Sequence, residues 1–147
     1  MVILAAVGEK HDQEAIIETG LDLAEAYDDD LRVLHVIPED EAEAHFESVR
    51  SIDQFSDTSF SIEIERAEDI AEQLVEMALG DVPANVTPAG RIGDPMQEIL
   101  DDAAAVDPRY IVVGGRKRSP TGKALFGSVT QSVILSADHP VVSVLAE

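Results

Sequence analysis

The chain has 147 residues, 45% of them hydrophobic and 4% aromatic, with no cysteine and no tryptophan. That length suits one ordinary domain able to bury roughly two thirds of its unfolded surface, and the missing cysteines exclude disulfides, thiolate zinc sites and thiol nucleophiles. Thirty Asp+Glu against ten Lys+Arg give a formal net charge of −20, which argues against general nucleic-acid or anionic-membrane binding.

The opening run MVILAAV is apolar, has no preceding basic segment and leads straight into Gly8-Glu9-Lys10. It reads as a first strand and not as a leader peptide. No other apolar run approaches the ~20 residues needed to span a membrane, and with no cysteine a reducing cytoplasm is the expected setting. Asp12 to Tyr27 then places Ile16, Gly20, Leu23, Ala24 and Tyr27 at helical spacing with acids on the other face. Leu31 to Ile37 is a second strand rich in branched residues and closed by Pro38. From Glu39 to about Ser61 the chain is acidic and Ser-rich, and reads as a loop with room for a short helix.

A helix follows from Ile62 to Leu79, stopped by Gly80, and a short strand from Asn85 to Ala89. Asp94-Pro95-Met96-Gln97 starts the next helix: an Asp cap, Pro at the first helical position and Gln at the third, the pattern of a capping box. This helix is expected to bury Ile99, Leu100, Ala103 and Ala104. Arg109 to Val113 is a fourth strand, Ser128 to Asp138 a last short helix, and Pro140 to Leu145 a fifth strand. Alternating strands and helices predict a Rossmann-like α/β fold, a five-stranded parallel sheet with helices on both faces, because parallel crossovers need the intervening helices. Ligands of such sheets sit beyond the carboxyl ends of the strands where strand order reverses. If the first and fourth strands are neighbours, residues 7–12 and 114–129 share one crevice.

The stretch GGRKRSPTGKALFGSV, residues 114–129, departs from the rest of the chain. Four of the ten basic residues, Arg116, Lys117, Arg118 and Lys123, fall here among Gly114, Gly115, Gly122 and Gly127. Glycine lets a ligand approach the backbone closely, and positive side chains beside a helix start favour an anion. Gly127-Ser128-Val129 opening a helix beside this loop is therefore a phosphate cradle in outline; the alternative is that the four cations pair with neighbouring carboxylates. A P-loop is excluded, since Ala124 follows Gly122-Lys123, and no G-x-G-x-x-G follows the first strand. The negative surroundings and the lack of interleaved aromatics exclude a nucleic-acid patch. His35 reads as a packed or hydrogen-bonded core histidine, His11 lies near the crevice, and His45 and His139 complete a set without metal-ligand spacing. Glu9 and Asp12 could hold a phosphate-bridging metal, or Asp12 could cap the first helix. No nucleophile, base and acid can be placed in one site, so catalysis is not expected.

The spacing of Gly114, Lys117, Gly127 and Ser128 resembles the G-x2-G-x9-G-[S/T] loop of the universal stress protein family. Length, the LHVI second strand, the acidic segment after it, the GDPMQEI helix start and the HPVVSVL ending are similar to that family too, so the resemblance covers residues 1–147 as a single domain of the adenine nucleotide alpha hydrolase-like type. It implies an ATP-binding or related adenine-nucleotide-binding regulatory protein, with Mg²⁺ as an accompanying ion. It implies phosphate contacts at Gly114, Arg116, Lys117, Gly127, Ser128 and Val129, an adenine near Ala6, Val7 and Gly8 and against the backbone of Val36, and a homodimer through Val141 to Leu145. Two positions depart from the family pattern: Lys117 replaces the second glycine of the loop, and Gly8 replaces an Asp that contacts the adenine side. They leave open a non-nucleotide dimeric module that acts through an anion or a protein partner, and a slow hydrolase in which Lys117 and Arg116 stabilise phosphoryl charge.

The charge itself yields a prediction. Carboxylates are spread along the helical segments, so the surface repels itself at ordinary salt, whereas at molar salt the Debye length falls to about 3 Å and the repulsion is screened. A halophile's cytosolic protein is the expected type. Circular dichroism during dialysis from molar KCl to low salt should show unfolding; a signal indifferent to salt contradicts that reading.

Overall fold

Residues 1–8, 13–41, 56–116 and 126–146 are described by a computed structural model. The strands are β1 (Val2–Val7), β2 (Asp30–Pro38), β3 (Val86–Gly93), β4 (Tyr110–Arg116) and β5 (Val141–Ala146). Between them run helices α1 (Gln13–Tyr27), α2 (Ser56–Leu79), α3 (Pro95–Val106) and α4 (Ser128–Ser136). All strand pairs are parallel, in the order β3-β2-β1-β4-β5. The first and fourth strands are therefore neighbours, as the crevice requires.

Side-chain alternation along the strands divides the core into two layers. Ile3, Ala5, Val7, Leu31, Val33 and Val112 pack with Ile16, Ile17 and Ala24 of α1 and with Ala71 and Val75 of α2. Leu4, Leu34, Val36, Ile111 and Val113 face the other way, onto Ile99 and Ala103 of α3 and Val133 of α4. Strand β2 is buried on both faces from Val33 to Ile37, as a near-continuous apolar run in a parallel sheet should be. Each fully buried aliphatic side chain contributes about 2 kcal/mol of transfer free energy. No helix among the described residues is long and apolar enough to cross a membrane.

Two elements run longer than their sequence patterns predict. Helix α2 begins at Ser56, six residues before Ile62, because Ser, Asp and Thr weaken helix interiors but are accepted in a first turn. Strand β3 continues past Ala89 through Gly90, Arg91 and Ile92 to Gly93. It is an edge strand, where Pro88 needs no ladder partner on its outer side. Gly90 is there for close packing: a Cβ would lie 2.5 Å from the Ala67 Cβ and from the Glu68 backbone nitrogen of α2. The Asp94 cap is present, its Oδ2 accepting from the Gln97 amide at 3.3 Å, but the Gln97 side chain donates forward to Asp101 and does not close the box.

Helix α3 also buries a residue that periodicity assigns to solvent. Ile99 and Ala103 are buried as expected, Leu100 only partly, and Ala104 is exposed, whereas Asp102 is fully buried. Arg32 of β2 grips it bidentately, Nε to Oδ2 and Nη2 to Oδ1 both at 2.8 Å, and Arg91 of β3 adds Nε to Oδ1 at 2.9 Å. Both guanidinium groups keep a part in water. Burial pushes the Asp102 carboxyl up, but the hydrogen bonds and charge of Arg32 and then Arg91 outweigh it and hold the group below its ordinary 3.8. At the amino ends of the strands Arg109 performs the same service for buried Asp29, at 2.7 Å, while lying 4.4 Å over the Tyr27 ring.

A carboxyl that titrates lower in the folded chain than in the unfolded one stabilises the fold in full above the ordinary carboxylate range. That contribution drains away as pH falls through that range toward the lowered folded value. Asp102→Asn, which leaves two arginines facing a neutral amide, should cost about 3 kcal/mol. Replacing the whole cluster (Arg32→Met, Asp102→Leu, Arg91→Met) should be neutral or stabilising by about 1 kcal/mol. Denaturant unfolding in molar KCl reads both. An Asp102→Asn loss no larger than that of exposed Asp101→Asn would show that the cluster does not anchor α3.

Candidate functional site

The topology opens a notch at one end of the sheet. The β1–β2 ladder runs to the last residue of β1, Val7 opposite His35, but the β1–β4 ladder stops at Ala5 opposite Val112. The last two residues of β1 are thus paired on one side only, while β4 continues from Val113 to Arg116 on its far side with β5. After β1 the chain enters α1 on one face of the sheet, and after β4 it enters α4 on the other. Strand order reverses here, which is where sheets of this kind accept ligands.

Each wall of the notch has ordered polar groups. On the β1 side His35, only 4% exposed, places Nδ1 3.0 Å from the Val7 carbonyl, and the Gly8 amide donates to Gln13 Oε1 at 2.8 Å. On the β4 side the Thr130 hydroxyl donates to the Gly114 carbonyl at 3.0 Å, tying the first turn of α4 to the strand that precedes it. Gly127 caps α4 with extended backbone, φ −66° and ψ 163°, and among the described residues no side chain closes the helix end. The first turn of α4 has no acidic residue, whereas α1 has Glu14 and α3 has both Glu98 and the Asp94 cap. Unsatisfied N–H groups at such a start favour an anion.

The sequence-derived site residues fall into three groups. Ala6, Val36 and Val129 belong to the apolar cluster under α3 and α4. Val7 points to the opposite face, among the residues under α1, so Ala6 and Val7 cannot both present side chains to one ligand. Val7 and Val36 are buried, and what they can offer is backbone. Gly114 has a packing reason of its own, since a Cβ there would meet Ile16 Cδ1 at 2.6 Å, and one on Gly115 would meet Phe126 Cδ1 at the same distance. Gly8 and Gly127 differ: a Cβ on either would find nothing within 4 Å among the described residues. Ser128 is the exposed first residue of α4, and Arg116 ends β4 opposite Ala146. Lys117, Arg118 and Lys123 lie outside the described residues, as do Glu9, His11, Asp12 and His45.

Gln13 and Thr130 were not legible as site residues. Their signal is positional only, a carboxamide five residues after a strand-ending glycine and a hydroxyl in the first turn of a helix. Of the remaining histidines, His139 places Nε2 2.9 Å from Asp107 Oδ1, away from the notch. A second hollow lies at the ends of β2 and β3, lined by Pro38, Glu39, Asp40, Gly93, Asp94 and Pro95. Its carboxylates make it a poor host for phosphate.

Comparison with known proteins agrees with this geometry. A family model described as the universal stress protein family matches residues 1–144. A universal stress protein of Mycolicibacterium smegmatis is 39% identical over 51 residues, which span 35% of this chain and 39% of that protein. The structure of a universal stress protein from Archaeoglobus fulgidus superposes with a TM-score of 0.62 at 29% identity, covering 97% of each chain. A structure from the same organism in complex with dAMP shares the fold at TM-score 0.59 and 24% identity, over 97% of this chain and 96% of that one. The parallel five-stranded sheet, the notch at its strand-order reversal and the match over residues 1–144 lead to one conclusion: this chain belongs to the universal stress protein family.

Proposed function

We propose that this protein is a regulatory stress-response protein that binds ATP or a related adenine nucleotide in the notch between Val7-Gly8 and the 114–129 loop. The observation that carries this reading is the start of α4. In a chain of net charge −20, it is a helix terminus with a glycine cap, no side-chain cap among the described residues and no carboxylate in its first turn. Phosphates would lie against the amides of Ser128 and Val129 and the Ser128 hydroxyl, with Arg116 and Lys117 supplying charge. Among the described residues nothing at the Gly127 Cβ position obstructs that approach. The base would lie along Ala6, Val7 and Gly8 and against the backbone of Val36. The dAMP complex of the Archaeoglobus relative supports the ligand class. Mg²⁺ would arrive on the phosphates, and the role is sensing and not catalysis.

A homodimer through Val141 to Leu145 fits the same reading. Strand β5 is an edge of the sheet, and an open edge invites pairing with a second strand. Leu145 of this strand and Ile134 and Leu135 of α4 are exposed. One observation favours the second reading, an anion- or partner-binding module without nucleotide. Gly114 and Gly115 are accounted for by Ile16 and Phe126, so part of the glycine pattern has a packing origin.

Calorimetric titration of ATP into the protein in molar KCl, with and without Mg²⁺, separates the readings. The expected result is a micromolar dissociation constant, weakened about tenfold or more in Gly127→Val. That variant should fold, because the Gly127 backbone is extended and its Cβ would meet nothing within 4 Å among the described residues. A folded wild type that binds no nucleotide would overturn the reading. Phosphate release that disappears in Lys117→Ala would instead make the protein a slow hydrolase.

A further inference from the structure

The Val7 carbonyl and the Gly8 amide are two ends of one peptide group, and each is held by a side chain from a different element. We propose that His35 and Gln13 are positioning residues that together lock the Val7–Gly8 peptide in one of its two orientations. His35 Nδ1 lies 3.0 Å from the oxygen and Gln13 Oε1 lies 2.8 Å from the nitrogen. The use of this lock, to hold the floor of the notch ready for nucleotide, rests on the function proposed above.

This peptide needs holding. Turning a peptide plane over changes ψ of the residue before it and φ of the residue after it, and only glycine accepts the resulting φ values freely. Gly8 has no side chain to resist, and a Cβ there would have no described neighbour within 4 Å. The ladder toward β4 has already ended at Ala5, so the sheet gives no restraint on that side. On the β2 side the ladder runs to Val7 opposite His35 and helps to hold the Val7 carbonyl. The Gly8 amide beyond the strand end is thus the part of this peptide that the sheet does not reach, at the position where a base would lie.

The two side chains suit the task. A carbonyl only accepts, so Nδ1 of His35 donates, which both the neutral Nδ1–H tautomer and the imidazolium can do. The hold is therefore independent of the charge on the ring. His35 lies in β2 between buried Leu34 and Val36, where an aliphatic residue would avoid the cost of burying a polar ring. Both His35 and Val7 are buried, and a hydrogen bond is stronger away from water. Gln13 is fixed in place by the first turn of α1, and an amide donor requires its oxygen, not its nitrogen. A hydrogen bond of ordinary net strength biases a two-state equilibrium about fivefold, and two on one rigid plane about twenty-five-fold. If only one orientation accepts the base, removing a bond lowers apparent affinity by the fraction of molecules left competent.

Amide hydrogen exchange at Gly8 in the ligand-free protein, in molar KCl, tests the lock directly. Gln13→Met keeps the length and removes the acceptor; Gln13→Glu keeps an acceptor. His35→Leu removes the donor; His35→Asn returns an N–H near the Nδ1 position. We expect Gly8 exchange to accelerate about fivefold or more in Gln13→Met. His35→Leu should accelerate it as well, although His35 does not touch that amide. Both conservative variants should restore protection, and the amides of Val33 and Val112 should be unchanged throughout. Gly8 exchange that stays at the wild-type rate in His35→Leu and responds only to Gln13 would overturn the shared lock. Should the histidine variants fail to fold, wild-type exchange in Gln13→Met alone would overturn it.

ATP titration of the same proteins then separates the two proposals. Affinity that falls in Gln13→Met and returns in Gln13→Glu supports both. Wild-type affinity in every variant whose Gly8 amide has been released overturns the positioning role and leaves the nucleotide reading intact. The expected exchange pattern in a wild type that binds no ATP supports the lock and overturns the nucleotide reading.

Discussion

The site depends on the reversal of strand order at β1. A chain that adds parallel strands by right-handed crossovers can build outward on one side only until it returns to the first strand. Here it lays down β2 and β3, then crosses back to place β4 on the opposite side of β1. The connections leaving β1 and β4 consequently depart to opposite faces. The early end of the β1–β4 ladder is the local expression of that constraint. Ala6, Gly8, Gly114 and the start of α4 are brought to one edge by topology, and the Thr130–Gly114 hydrogen bond then ties the last two together.

Charge is distributed with a comparable logic. The three buried carboxylates among the described residues, Asp29, Glu63 and Asp102, each pair with arginine: Arg109, Arg66, and Arg32 with Arg91. A buried carboxylate left alone would cost several kcal/mol, so these four cations are committed to the body of the fold. Four of the other six, Arg116, Lys117, Arg118 and Lys123, fall in the loop after β4. The contrast between committed arginines and a basic loop is one ground for the anion site proposed above.

The fold was legible because its signals are local and repeated. Branched apolar runs, helical spacing and the Asp94-Pro95 start identify the elements, and alternation of type then dictates a parallel sheet. What escaped depends on residues distant in sequence. Asp102 reads as a surface acid on α3 until Arg32 and Arg91 are brought over it, 70 and 11 residues away. The end of β3 reads as loop because Gly90 and Gly93 are turn signals, while in the fold Gly90 answers to the nearness of α2. For the site, the glycines and the helix start could be read from spacing, but Gly114 looked purely functional and carries a packing duty too. Gln13 and Thr130 had no motif to announce them, since each matters through one bond to backbone that the tertiary arrangement supplies.

The most direct test is to map where nucleotide touches the protein. Amide ¹H–¹⁵N spectra of the labelled protein in molar KCl, followed during titration with ATP, report each backbone position separately. The account predicts shifts concentrated at Ala6 to Gly8, at Val36, at Gly114 and at Gly127 to Val129, with β3 and the hollow at Pro38 and Asp94 unaffected. Shifts confined to that hollow, or a spectrum unmoved by saturating nucleotide, would contradict it.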